Sequence, residues 1–362
     1  MRIWQRNTLI VIVVVGFISA VFWLMRTGQY KDVSLPDILG EADPKSSSWP
    51  AYPSPTPIPT LTLARVFAPD HSWVMSLPQE QLVTMIATGD VLPARTVNSQ
   101  MVKRNNFLWP FEKTHDVLSA ADLTVINLET PLLTDCTSTN QGMIFCGVVR
   151  ATEGLVFAGV DVATLGNNHV GNYFQEGVEE TKTTLTNAGI LPVAEGIAYK
   201  EVKGTRFAFL SYNDIGAPEA GVPWAEEEII SREVAKARES ADVVIVSYHW
   251  GEEYVTEPVS RQRELAYLSI DAGADVVLGN HPHWIQPVEL YNGKFIVYAH
   301  GNFVFDQEWS EETKLGVVGR YTFYEGKLVD VEYLPIRIVD YGQPYFLEGD
   351  EAASVLNRLI VQ

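Results

Sequence analysis

The chain opens on an unbroken apolar run, Thr8 to Met25, without a charged residue and bracketed by Arg2 and Arg6 before and Arg26 after. At 1.5 Å rise per residue such a run covers roughly 27 Å as a helix, about the hydrocarbon thickness of a bilayer. The pattern predicts an N-terminal transmembrane anchor over residues 1–26. The rival reading is a cleaved signal peptide, but the run is long for a signal core and no clean small-residue cleavage site follows before Arg26. The flanking positive charges favour, by a slight margin, a cytoplasmic N-terminus with the rest of the chain outside. The expected location is therefore the cell membrane, single-pass, with an extracytoplasmic globular part.

From residue 27 to residue 80 the pattern loses its period. Its richest part, DPKSSSWPAYPSPTPIPT from Asp43 to Thr60, is full of proline. Proline blocks helix and central strand alike and favours an extended spacer. From Gln81 onward short apolar runs alternate with amphipathic stretches. The runs predict strands at Leu82–Thr88, Leu123–Leu128, Val162–Leu165, Arg206–Ser211, Val243–Ser247 and Val276–Leu278. The amphipathic stretches predict helices at Gln175–Ala188, Ala225–Ser240 and Ser260–Ala272. This βαβα order argues for an α/β sheet with covering helices. Asn292-Gly293 between two strand-like runs is a hairpin signal. More strand-like sequence continues through Asp340, so the globular domain is expected over 81–340, with a β-rich C-terminal portion and a tail helix over 341–362.

Composition narrows the function. The 362 residues carry 26 Lys+Arg against 45 Asp+Glu, a formal charge of −19. That field repels phosphate backbones and argues against nucleic-acid binding. An apolar fraction of 46% with 20% charged residues fits a globular rather than a disordered chain. The two cysteines, Cys136 and Cys146, lie in a polar loop. Outside the cell they would close a disulfide worth roughly 2–3 kcal/mol in the chain-entropy model; in the cytosol they would stay thiols.

The polar residues that stand just past the strands are the candidate chemistry. Asp90 follows the first strand, Glu129 the second, and Asn167, Asn168 and His169 the third; His249, then His281 and His283, follow later ones. Ligands of open α/β sheets bind outside the carboxyl ends of strands, so separate strands deliver these groups to one edge. One histidine at a strand end would ordinarily be structural; the same phase repeated on five strands points to a site. Pro282 disfavours helix at His281, and in an extended segment His281 and His283 project to one side. Histidine nitrogens with Asp, Glu and Asn oxygens suit one or two divalent ions such as Zn, Mn or Fe. No thiolate joins them, which excludes a structural zinc finger. Glycine-rich phosphate loops and a G-x-S-x-G elbow are absent. Trp109, Trp224, Trp250, Trp284 and Trp309 fall near these stretches, either as packing beneath the loops or as a rim for an extended substrate.

The motifs resemble those of the CapA family, named for poly-γ-glutamate capsule biosynthesis and itself similar to the calcineurin-like metallophosphoesterases. They are Gly89-Asp90-Val91 with Arg95, INLETPL (Ile126–Leu132), TLGNNH (Thr164–His169), SYHWGEEY (Ser247–Tyr254), Gly273–Lys294 and HGNFVFD (His300–Asp306), in family order. The resemblance implies a metallophosphoesterase-like four-layer α/β/β/α sandwich. It also implies roles: Asp90 on a first metal, Glu129 at the bridging position, Asn168, His249 and His281 round a second metal, and His283 returning to the first. His169 would be the general acid, or would only hydrogen-bond to a neighbour, and Arg95 would bind an anionic group. Phosphoesterases of that superfamily open with Asp-x-His, both binding metal. Here the third position is Leu92, so the first site lacks an imidazole.

Three functions follow from the resemblance. The first is a membrane-tethered protein that makes or exports an anionic surface polymer beside capsule-synthesis membrane partners. The second is an extracytoplasmic metal-dependent phosphoesterase with a small phosphorylated substrate. The third is a surface scaffold that keeps a metal site without turnover.

Overall fold

The computed structural model describes residues 58–360. The expected anchor and most of the spacer lie outside the described residues, and among those described no helix is long and apolar enough to cross a membrane.

Two large sheets organise a mixed α/β fold. The first runs, from one edge to the other, Gln343–Phe346, Lys327–Val339, Leu315–Tyr324, Leu82–Val91, Leu123–Leu128, Val162–Thr164 and Leu191–Val193, with Asn302–Val304 pairing beside Leu82–Val91. The order in the second is Ile285–Tyr291, Lys294–His300, Val276–Asn280, Val243–His249, Thr205–Asn213 and Ala198–Val202. The centre of each sheet is parallel. Antiparallel strands extend them: the C-terminal meander on the first sheet, a hairpin and an edge strand on the second. Asn292 and Gly293 turn the hairpin with φ of 49° and 74°, the left-handed conformation a two-residue turn of this kind requires.

The central strands read as continuous apolar runs because both of their faces are covered. On Val243–His249, Val243 and Ile245 belong to the core between the sheets, while Val244 and Val246 face the helices Glu227–Arg238 and Ser260–Ala272 through Val234, Leu265 and Ile270. On Leu82–Val91, Met85 and Ala87 join Phe207, Phe209 and Val297 between the sheets, and Ile86 faces the other way. That outer face packs Val97, Met101, Leu155, Val178 and Leu185 from three helices. Helices therefore cover the outer face of each of two apposed sheets.

The expected elements lie close to the observed ones, but the packed body begins before Gln81. After the proline-rich stretch, Thr62 caps the short helix Leu63–Val66, its hydroxyl accepting from Arg65 N–H at 3.3 Å. Val66 enters the core between the sheets. His71 Nδ1 lies 2.7 Å from Asp330 Oδ2, and the Trp73 indole N–H donates to Asp330 Oδ1 at 3.2 Å. A few apolar residues without periodicity were enough to tie this strap down, and periodicity alone could not mark them. At the other end, the strands that read as a β-rich tail extend the first sheet, and the helix Gly349–Leu356 inserts Val355 into the same core.

Candidate metal centre

Both sheets present the carboxyl ends of their central strands to one buried point. Asp90 sits near the end of Leu82–Val91, Glu129 directly after Leu123–Leu128, and Asn167 to His169 after Val162–Thr164. His249 closes Val243–His249, and His281 and His283 follow Val276–Asn280. The first three segments come from one sheet and the last two from the other. Asn127 joins the sheets: its amide donates to Asp90 Oδ1 at 2.8 Å and lies 3.2 Å from His249 Nδ1. Asp90 Oδ2 accepts from the His281 backbone N–H at 3.3 Å and meets His283 Nδ1 at 3.1 Å. His249 Nε2 stands 3.0 Å from His281 Nδ1 and 3.7 Å from Glu129 Oε1.

Pro282 led to the expectation of an extended His281-Pro282-His283 segment, and the structure corrects it. His281 and His283 have φ of 97° and 56°, so the pair turns sharply. The rings still converge, with centroids 5.7 Å apart, because the turn rather than the strand period aims them. Arg95 and Tyr254, beside the centre, also have positive φ. Strained non-glycine backbone of this kind is concentrated at functional sites, where surrounding packing holds it.

The donor set fits a divalent cation. Glu129 is fully buried, yet neither of its carboxylate oxygens has a hydrogen-bond partner, and Asn168 Oδ1 and Asn280 Oδ1 are equally unpartnered. Burial first, and then the neighbouring Asp90, push the Glu129 carboxyl well above the usual carboxylate range. Burial, then the adjacent imidazoles, push His249 and His281 well below the usual range, which keeps them neutral and ligand-ready. Asp90, Glu129 and His283 each offer an atom within 4.8 Å of the others, and so do Glu253, His281 and His283. A buried, unpartnered carboxylate is costly unless a positive charge meets it.

Asn127, Glu253 and Asn302 lie within the family motifs, but nothing in the linear pattern gave them a part. The missing cue was tertiary: Asn302 becomes the parallel neighbour of Asp90, and its Oδ1 lies 3.0 Å from His283 Nδ1. Asn302 Nδ2 is spent on Gln307 and the Thr313 carbonyl, so its oxygen is the atom turned toward the centre. Leu92, where an imidazole was missed, is buried on the helix-covered face with Val97 and Phe303. Gly89 is needed where the first strand passes this point, since a Cβ there would stand 2.0 Å from the Gly301 carbonyl oxygen.

Two predicted residues stand beside the ligand cluster. His169 Nε2 is 4.0 Å from Glu129 Oε1, and its Nδ1 lies 3.4 Å from Asn172 Oδ1. Burial pushes its pKa down to about 4, so the ring is neutral at pH 7. With the proton held toward Asn172, Nε2 turns a lone pair to the centre. Arg95 is tied to Asp306, 2.5 Å from its Oδ1, and lies over the Phe145 and Phe305 rings at 5.0 and 5.5 Å. Asn167 serves the backbone: its Oδ1 accepts from Val170 N–H at 2.9 Å and its amide donates to the Leu128 carbonyl at 2.8 Å. Of the tryptophans, Trp109 and Trp250 are buried packing residues, while Trp309 is exposed.

Residues 84–307 match the family described as bacterial capsule synthesis protein PGA_cap. The chain belongs to that family. Among relatives, the capsule biosynthesis protein CapA of Bacillus anthracis is 29% identical over 289 residues, covering 74% of this chain and 70% of that one. The PGA biosynthesis protein CapA of Bacillus subtilis is 35% identical over 193 residues, 49% of this chain and half of that one. A probable polyglutamine synthesis accessory protein of Mycobacterium tuberculosis is 26% identical over 289 residues, 70% of this chain and 76% of that one. Among solved structures, a novel phosphatase from Mycoplasma pneumoniae overlaps 72% of this chain and 95% of its own, at 13% identity and a TM-score of 0.47, too low to bear on function.

Proposed function

We propose that this family member acts in the synthesis or export of an anionic, poly-γ-glutamate-like surface polymer, using a metallophosphoesterase-type centre for hydrolysis or transfer at a phosphate-like or amide bond. The observation that carries the reading is the buried Glu129 carboxylate, without a donor, inside a ring of Asp90, His249, His281 and His283. Asp90, Glu129 and His283 would hold one divalent ion, and Glu129, Asn168, His249 and His281 a second, with Asn302 Oδ1 or Glu253 standing in for the imidazole that Leu92 replaces. When bound, the metal supplies Lewis-acid polarisation of the scissile group and acidifies water.

The chain's own residues do the rest. Neutral His169, its Nδ1–H held by Asn172, accepts a proton at Nε2 from the attacking water and returns it to the leaving group. Arg95, held by Asp306, places positive charge beside the centre without needing to move. Anchoring through Thr8–Met25, with this domain outside, is part of the same reading; the Cys136–Cys146 disulfide supports an oxidising compartment.

The test is metal analysis and turnover on the purified full-length chain. At least one transition metal per chain, lost in the Glu129→Ala variant, with cleavage of amide or phosphoester substrates lost in His169→Ala, supports the proposal. A metal-free protein overturns it. Bound metal with no cleavage of any ester or amide instead favours a scaffold, the reading to which Leu92 gives weight.

A further inference from the structure

Leu92 leaves the first metal position without its imidazole, and Asn302 faces the ligands that remain. Asn302 is fully buried, and its Oδ1 lies 3.0 Å from His283 Nδ1, on which Asp90 Oδ2 converges at 3.1 Å. The backbone of Asn302 is pinned from two sides. It is the parallel neighbour of Asp90, and a Cβ on Gly316 would stand 2.0 Å from its carbonyl oxygen.

The side-chain amide is fixed as firmly. An asparagine amide has two N–H donors and one acceptor oxygen. Both donors of Asn302 are used, on Gln307 Oε1 at 3.1 Å and on the Thr313 carbonyl at 2.9 Å. Turned over, Asn302 would set its oxygen against the Thr313 carbonyl, which cannot donate. Thr313 therefore decides Asn302, and Asn302 decides Gln307, whose Oε1 must face it. Gln307 Nε2 is left to donate to the Tyr254 hydroxyl at 3.3 Å. Gln307 and Thr313 are themselves buried, and the Thr313 hydroxyl donates to the Gln307 carbonyl at 2.7 Å. Asp306, the residue before Gln307, holds Arg95, so adjacent residues fix both groups.

Glu253, the other candidate, is exposed, and it shares its donor set with His281 and His283 rather than with Asp90 and Glu129. An exposed side chain must give up water and rotamer freedom to bind an ion, whereas one already locked by its neighbours gives up neither.

Resting on that reading of the centre, we propose that Asn302 Oδ1 takes the place of the missing imidazole, with Gln307 and Thr313 as the residues that position it. The first position then offers oxygens of Asp90, Glu129 and Asn302 with the single nitrogen of His283, while the second keeps two imidazoles. Oxygen-rich sets suit harder ions such as Mn, and imidazole suits Zn. Exchanging imidazole for carboxamide therefore shifts the first position toward manganese.

Manganese titration of the metal-free full-length protein, followed by the electron paramagnetic resonance signal of the free ion, tests this with zinc as competitor. Wild type should bind manganese at the first position even with one equivalent of zinc present. Gln307→Leu should weaken that manganese about ten- to a hundredfold, the usual effect of removing a group that orients a ligand, and Asn302→Leu at least as much. Gln307→Glu, which keeps an acceptor for Asn302, should restore most of the affinity. Unfolding under chelator is measured alongside, because a purely structural Gln307 would lower stability and leave the affinity alone. If Gln307→Leu does not fold, Tyr254→Phe, which removes only the hydroxyl that Gln307 bonds, should weaken manganese about threefold. Unaltered affinity in the Gln307 and Asn302 variants overturns the proposal, as does loss of manganese in Glu253→Gln with Asn302→Leu unaffected. Zinc binding without manganese also overturns it but leaves the metal centre standing. Absence of every metal sinks both, and the expected pattern in a protein that cleaves nothing sinks only the catalytic reading.

Discussion

His249 Nε2 and His281 Nδ1 face each other at 3.0 Å, buried side by side from the ends of neighbouring parallel strands. Burial and mutual repulsion keep both rings neutral, so the pair offers nitrogen lone pairs next to the Glu129 carboxylate. The cost of that arrangement should be visible in stability.

Glu129→Gln should raise the unfolding free energy of the metal-free protein at neutral pH, by about 1–3 kcal/mol, because it removes a carboxyl that must either stay charged without a partner or take up a proton on folding. With metal supplied, the order reverses: wild type gains stability by linkage and the variant gains little. Chemical denaturation with and without chelator checks both signs. A variant less stable than wild type under chelator would show that Glu129 is already compensated.

Gly89→Ala drives a methyl group into the Gly301 carbonyl oxygen. The strand must shift, at about 1–3 kcal/mol. Since Asp90 and Asn302 are the next residues on the two paired strands, metal affinity should fall along with stability. Unfolding curves and metal titration of the same variant check this together.

Replacing both Cys136 and Cys146 with serine should cost about 2–3 kcal/mol by freeing a short loop in the unfolded chain. The loop also positions Phe145 against His169, so turnover should drop more than metal content does. Parallel measurement of melting temperature, bound metal and rate separates the two effects.

His71 provides a pH test remote from the centre. Its hydrogen bond to Asp330 raises its pKa above the usual histidine value. A raised folded pKa means stability that is complete below pH 6.5 and is lost as pH rises through the folded value. The stability difference between wild type and His71→Gln should therefore be larger at pH 5.5 than at pH 8.5, as judged by denaturant unfolding. Equal differences at both pH values would remove His71 from the stability balance.

Much of this architecture was legible in the linear pattern because the central strands are covered on both faces. Leu123–Leu128 and Ser260–Ala272 read correctly to the residue, since an apolar run and a helical stripe are local signals. The strap from Leu63 to Trp73 was not legible; its few apolar residues have no period, and it is held by Val66 in the core between the sheets and by His71 and Trp73 on the distant Asp330.

The sequence by itself determined which chemistry was present and where along the chain: acid, amide and imidazole groups in phase at the ends of strands, and motifs that mark the family. Tertiary structure decided the rest. It set Asp90 of one sheet against His283 of the other, recruited Asn127, Asn302 and Glu253, and sent Leu92 into a core. The physical reason is that strand period and propensity act over a few residues. The distance between groups nearly two hundred residues apart is set only when two sheets close on a shared apolar core.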